Sequence, residues 1–171
     1  MIIDAHNHAD WHKHDLSRMI ENMDKYGIDK AWILSWICPK DEFDPNTVFA
    51  FSLDSASDDD PVAFERCVRY KQAYPHRFIL GYAPDPRREG AVDRLRSAID
   101  VFGVKVCGEL KLRMMLDDFD AIRLYRFCGK AGLPVTVHID YEFSTGCNYP
   151  RPNYWYGGGI EALERALQKC P

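Results

Sequence analysis

Short apolar runs alternate along this chain with longer segments of helical period, and no strand-like run follows another directly. The runs fall at residues 1–8, 30–36, 77–83, 104–112 and 133–138. Between the first two, Leu16, Met19, Ile20 and Met23 recur at helical spacing up to a glycine stop at Gly27. A second helix is expected from Pro61 to about Tyr74, with the proline in its first turn. A third is expected over 89–102, with Val92, Leu95, Ile99 and Phe102 inward, a fourth over 119–131, and a last one from Gly159. The run at 30–36 is nearly continuous in apolar residues, as a strand buried on both faces of a parallel sheet requires. Strand–helix alternation joins parallel strands through right-handed crossovers. An open doubly wound sheet and an eight-stranded barrel both satisfy it. The open sheet usually carries a Gly-rich phosphate turn after its first strand, and that position here holds His6-Asn7-His8. The expectation is an α/β chain of the TIM-type (β/α)8 barrel class, with about the first five βα units in a single domain, 1–171.

Composition narrows the function. With 46% hydrophobic and 28% charged residues the chain reads as an ordinary soluble globular protein. A net charge of -4 offers no footprint for a polyanion, so nucleic acid is an unlikely partner. No apolar run is long enough to cross a bilayer, and no basic start with an apolar stretch marks a secretory signal. The six cysteines are scattered without a close metal-binding pair, and Cys67, Cys107 and Cys128 sit inside apolar patterns as core residues. A reduced, cytoplasmic setting is expected.

In a parallel barrel the active site gathers at the C-terminal ends of the strands. The first run brings His6 and His8 there, on the same face as Asp4 by strand alternation. The second brings Ser35 and Trp36, the third Tyr82, the fourth Glu109 and Lys111 on the face of Cys107, and the fifth His138. Two imidazoles two positions apart can reach one cation at roughly 2.0–2.1 Å each. Bland alternatives stand beside these: a salt bridge of Glu109 with Lys111 or Arg113, and a core His138 bonded to a carbonyl. A second pair, His12 and His14, lies in a polar loop and reads as pocket rim or plain surface. The stretches 37–60 and 139–156 are long for a compact domain, and such loops are usually functional or mobile.

Three stretches carry a family resemblance: Ile3-Asp4-Ala5-His6-Asn7-His8, the run from Met23 to Ala31, and Gly132-Leu133-Pro134-Val135-Thr136-Val137-His138. Through them the chain resembles the amidohydrolase superfamily, most closely its family-2 branch of metal-dependent hydrolases and decarboxylases. The resemblance implies a divalent metal, commonly zinc, held by His6, His8 and His138. Gly108-Glu109-Leu110 is similar to the fourth-strand glutamate of the superfamily's deoxyribonuclease branch, which adds Glu109 to the metal set. It also implies about eight strands, with a histidine on the sixth and, on the eighth, an aspartate that serves as the base. That base is expected beyond Pro171, the chain is expected to be a partial copy, and its outer strands are expected to favour self-association. Trp36, Lys111, Arg113, Arg151 and Tyr154 are expected to meet a small-molecule substrate, Arg113 or Arg151 clamping a carboxylate. The function implied is a metal-dependent hydrolase in which water, its pKa lowered from about 15.7 towards 7, attacks a carbonyl-type carbon. The alternatives are a decarboxylase of an aromatic or unsaturated acid, a phosphoesterase or deoxyribonuclease, and a non-catalytic barrel fragment.

Overall fold

A computed structural model describes residues 1–11, 14–37, 39, 62–139 and 157–170. Within them five strands and five helices alternate: β1 (Ile3–Asn7), α1 (Leu16–Tyr26), β2 (Lys30–Leu34), α2 (Phe64–Ala73), β3 (Phe78–Gly81), α3 (Ala91–Phe102), β4 (Cys107–Leu110), α4 (Phe119–Ala131), β5 (Val135–Val137) and α5 (Gly159–Lys169). β1, β2 and β3 pair in parallel, as do β4 and β5. Main-chain bonds join the two sets: Lys105 N–H donates to Leu80 O at 2.9 Å and Tyr82 N–H to Val106 O at 3.0 Å. The strands therefore follow one another in chain order, the winding of a barrel, whereas a doubly wound sheet reverses its order at a switch point.

The local reasons are those of the sequence pattern. Asp15 caps α1 by accepting from Arg18 N–H at 3.0 Å, and α1, α3 and α4 each end on a glycine in the left-handed region. Between the layers Ile33, Leu34, Phe78, Leu80, Leu95 and Leu124 are fully buried. Burial of each such side chain contributes about 1.5–3 kcal/mol. Cys67, Cys107 and Cys128 are core residues, and burial pushes the Cys67 thiol up to about 12. No described helix is long and apolar enough to cross a membrane.

The structure corrects several boundaries and orientations. The second helix starts at Phe64, because Val62 is drawn into two main-chain bonds with Trp36 of 3.1 and 3.3 Å. Phe102 is 46% exposed, its ring edge-on to Phe64. Tyr82 packs its ring on Phe64 at 4.7 Å, so it serves the contact with α2. Cys107 does not share a face with Glu109. Its thiol lies against Cys128 of α4, and the β4–β5 register shifts between Cys107 and Leu110. Gly108, at φ 155°, is what permits this: a Cβ there would lie 2.7 Å from that of Thr136. Among the described residues β1 is an outer strand, and Ile2 and Ile3 are 57% and 40% exposed.

One buried ion pair ties the loop after β3 to the loop after β4. Asp85, 4% exposed, accepts from Nε and Nη2 of Arg87 at 2.8 Å each, and Arg87 Nη1 reaches Arg113 O at 3.3 Å. Burial pushes the Asp85 carboxyl up, but the Arg87 hydrogen bonds and charge outweigh it and hold the group below its ordinary value. A depressed carboxylate stabilises the fold above its unfolded pKa, about 3.9, and ceases to as pH falls through the folded value. Asp85→Asn is therefore expected to cost about 1–3 kcal/mol at pH 7. In urea titrations the gap to wild type should narrow below about pH 4.

Candidate metal centre

The C-terminal ends of β1, β4 and β5 converge on Glu109, whose side chain is 5% exposed. His8 approaches its Oε2 with Nε2 at 3.2 Å, His6 with Nε2 at 3.4 Å, and the two imidazole nitrogens are 3.3 Å apart. The other carboxylate oxygen, Oε1, accepts from His138 Nδ1 at 2.8 Å. β1 does not present this pair by plain alternation. Its register is irregular between Asp4 and Asn7, where the Asp4 carboxylate turns back to accept from His6 N–H and the Asn7 amide.

His8 is held in one tautomer. Its Nδ1 lies 2.8 Å from Leu34 O, and a carbonyl only accepts, so Nδ1 carries the proton and Nε2 directs a lone pair at Glu109. A lone pair facing a carboxylate oxygen at 3.2 Å needs a proton or a cation between them. Donor atoms of His6, His8 and Glu109 all lie within 4.8 Å of one another. Two imidazoles and a carboxylate fit zinc and other first-row divalent ions by donor chemistry. His138 joins through Glu109 and orients the carboxylate from behind.

A wall of rings flanks His8. Trp11 lies 5.6 Å from the His8 ring and stands edge-on to Trp36 at 5.4 Å, and Lys111 Nζ lies 4.6 Å above the Trp36 ring. Trp36 Nε1–H donates to Lys111 O at 3.4 Å. Thus Trp36 and Lys111 stand beside the cluster. Arg113 is exposed, with its carbonyl engaged by Arg87. His14 accepts from Asn22 of α1 at 3.4 Å. Arg151, Tyr154 and His12 lie outside the described residues. Sequence reasoning gave no role to Trp11, nor to the carbonyls of Leu34 and Ser35. Ser35 O accepts from Glu109 N–H at 2.9 Å, and its Oγ from Ala83 N–H at 3.3 Å. Only Trp11 leaves a sequence signal, as an apolar ring in a polar loop next to the His-x-His pair.

Burial pushes the Glu109 carboxyl up, but the imidazoles of His138, His6 and His8 gathered around it outweigh burial and hold it well below the carboxylate range. The hydrogen bond to Glu109 raises His6 against the lowering effect of burial. The signs differ. The Glu109 contribution is present above its unfolded pKa of about 4.3 and is lost as pH falls through the folded value. The His6 contribution is full below about pH 6.5 and is lost as pH rises through the raised value. Chelator-treated protein is expected to lose stability as pH rises above about 6.5, by less than about 1 kcal/mol because His6 is half exposed. Denaturant titrations of His6→Asn should show that alkaline slope flattened, and those of Glu109→Gln should lack it.

No protein-family model and no curated protein sequence matches the chain. Solved structures do. The structure of 2,6-dihydroxybenzoate decarboxylase from Rhizobium is similar over 88% of this chain and 50% of its own, at 15% identity and a TM-score of 0.58. A putative amidohydrolase from Staphylococcus aureus is similar over 98% and 61%, at 17% identity and a TM-score of 0.57. The 5-carboxyvanillate decarboxylase of Novosphingobium aromaticivorans, solved with bound manganese, is similar over 73% and 35%, at 23% identity and a TM-score of 0.53. The chain thus spans about half the length of the first of these. This is a likeness of fold: the chain has the fold of these decarboxylases and this putative amidohydrolase, and the resemblance to the amidohydrolase superfamily read from its sequence is borne out to that extent.

Proposed function

We propose that the cluster is the divalent-metal centre of an amidohydrolase-superfamily enzyme, a hydrolase of a small organic substrate. The observation that carries this reading is the His8 nitrogen facing Glu109 at 3.2 Å while its other nitrogen is committed to Leu34 O. His6, His8 and Glu109 would hold the ion, zinc in this reading, with His138 fixing the carboxylate or joining the ligand set. When bound, such an ion supplies Lewis acidity towards a carbonyl and acidifies water. The chain's own residues do the rest. Glu109 and His138 hold charge and proton in a fixed hydrogen bond, Leu34 O sets the His8 tautomer, and Trp36 forms an apolar wall that excludes water. Lys111 offers a cation to an anionic substrate group, Arg113 and Arg151 are expected to add guanidinium groups, and Tyr154 is expected to shape the pocket with its ring. The base that takes the proton from water is assigned, from the resemblance alone, to a later strand.

A second reading is decarboxylation of an aromatic acid. It is supported by the Lys111 ammonium held over the Trp36 indole beside the cluster, a cation placed to meet an acid, and by the decarboxylases among the structures of like fold. Hydrolysis of esters, amides or lactones set against carbon dioxide release from hydroxybenzoates by the whole protein separates the two. Cleavage of phosphodiesters alone would favour a phosphoesterase.

Dialysis against zinc is expected to leave about one tightly held ion per chain, as a three-ligand site provides. The His6→Ala/His8→Ala double variant should lose it by elemental analysis. A wild-type chain that retains no ion would overturn the reading and leave a non-catalytic barrel fragment. The exposed outer edge of β1 is proposed as a self-association surface, and Ile3→Lys is expected to lower the sedimentation coefficient of any assembly formed through it.

A further inference from the structure

Asp10 is the one non-glycine residue at positive φ among the described residues, at 58°. It sits between His8 and Trp11, and it is held from far away in sequence. Tyr70 of α2, 3% exposed, donates its hydroxyl to Asp10 Oδ1 at 2.8 Å, and the same hydroxyl accepts from Asp10 N–H at 3.1 Å. One phenol thus uses both its donor and its acceptor on a single residue, which fixes the side chain and the peptide of Asp10 together. Aspartate tolerates the left-handed region better than most residues, and these two bonds stabilise it there.

The geometry at Asp10 decides where the chain goes next. The left-handed residue turns the chain after β1, so that the Trp11 ring lies 5.6 Å from the ring of His8 and edge-on to Trp36 at 5.4 Å. The loop beyond is closed by His14 N–H donating to Trp11 O at 2.9 Å. Leu34 O holds the His8 ring through one nitrogen, and Trp11 packs on its body. We propose that Tyr70, through Asp10 and Trp11, is a positioning residue for His8, so that a hydroxyl on the outer helix layer sets how tightly the centre holds its metal.

This inference rests on the reading of the cluster as a metal centre, and the test keeps the two apart. Zinc dissociation constants are measured on the whole chain by competition with a chromophoric chelator, with thermal midpoints recorded alongside. Tyr70→Phe, Asp10→Gly and Trp11→Leu are expected to weaken zinc binding by about 10- to 100-fold, the range for groups that orient metal ligands. Asp10→Asn, which keeps a carbonyl acceptor and the left-handed tendency, should remain within about twofold of wild type, as should Leu95→Val, a core variant distant in sequence that lowers stability alone. Tyr70→Phe binding zinc like wild type, while His8→Ala loses it, would overturn the positioning role and leave the metal centre standing. Leu95→Val weakening zinc as much as Tyr70→Phe would also overturn it, since general softening would then explain both. His8→Ala binding zinc as tightly as wild type would overturn the metal centre and this inference together.

Discussion

Three consecutive residues at the end of β2 hold the whole constellation in place. Leu34 O accepts from the His8 ring, Ser35 O accepts from Glu109 N–H, and the Trp36 indole N–H reaches Lys111 O. Ser35 Oγ adds the amide of Ala83, just beyond β3. A strand that pairs with β1 and β3 along its length thus reaches β4 at its tip. These groups are buried or nearly so, and a buried polar group left unpaired costs about 1–3 kcal/mol. Each bond therefore constrains the position of a side chain at the mouth as well as stabilising the sheet.

Glu109 has the complementary role. Its two oxygens take contacts from β1 on one side and from His138 beyond β5 on the other, so one carboxylate links the first and last strands described. A buried carboxylate surrounded by imidazoles is an arrangement that proton or metal cation can complete. The depressed carboxylate and the raised His6 express the same attraction from its two ends. The indole–ammonium stack of Trp36 and Lys111 then sets a second, separate positive charge beside the cluster, and its field acts against protonation of His6.

Much of this was legible in the residues, and the reasons for the failures are physical. Helices α1, α3 and α4 follow from apolar spacing and terminal glycines, which act locally. The start of α2 did not, because Val62 pairs with Trp36, a tertiary choice that Pro61 cannot signal. Glu109 follows from its place at the tip of the fourth strand, yet the same alternation misplaces Cys107, since Gly108 breaks the pleat. Tyr82 stands at a strand end, where a mouth residue is expected, yet serves α2, because one aromatic there satisfies either layer. Tyr70 and Asp10, 60 residues apart, offer no local pattern at all. Arg151 and Tyr154 lie outside the described residues.

The supports supplied by Leu34 and Ser35 are peptide carbonyls, and every amino acid provides one. A change of side chain at Leu34 therefore leaves its acceptor in place, whereas Ser35 also commits its hydroxyl to Ala83 N–H. Geometry carried by the main chain depends less on residue identity than geometry carried by side chains. A chain of this kind can share its architecture with enzymes at 15–23% identity and still escape recognition by sequence profiles.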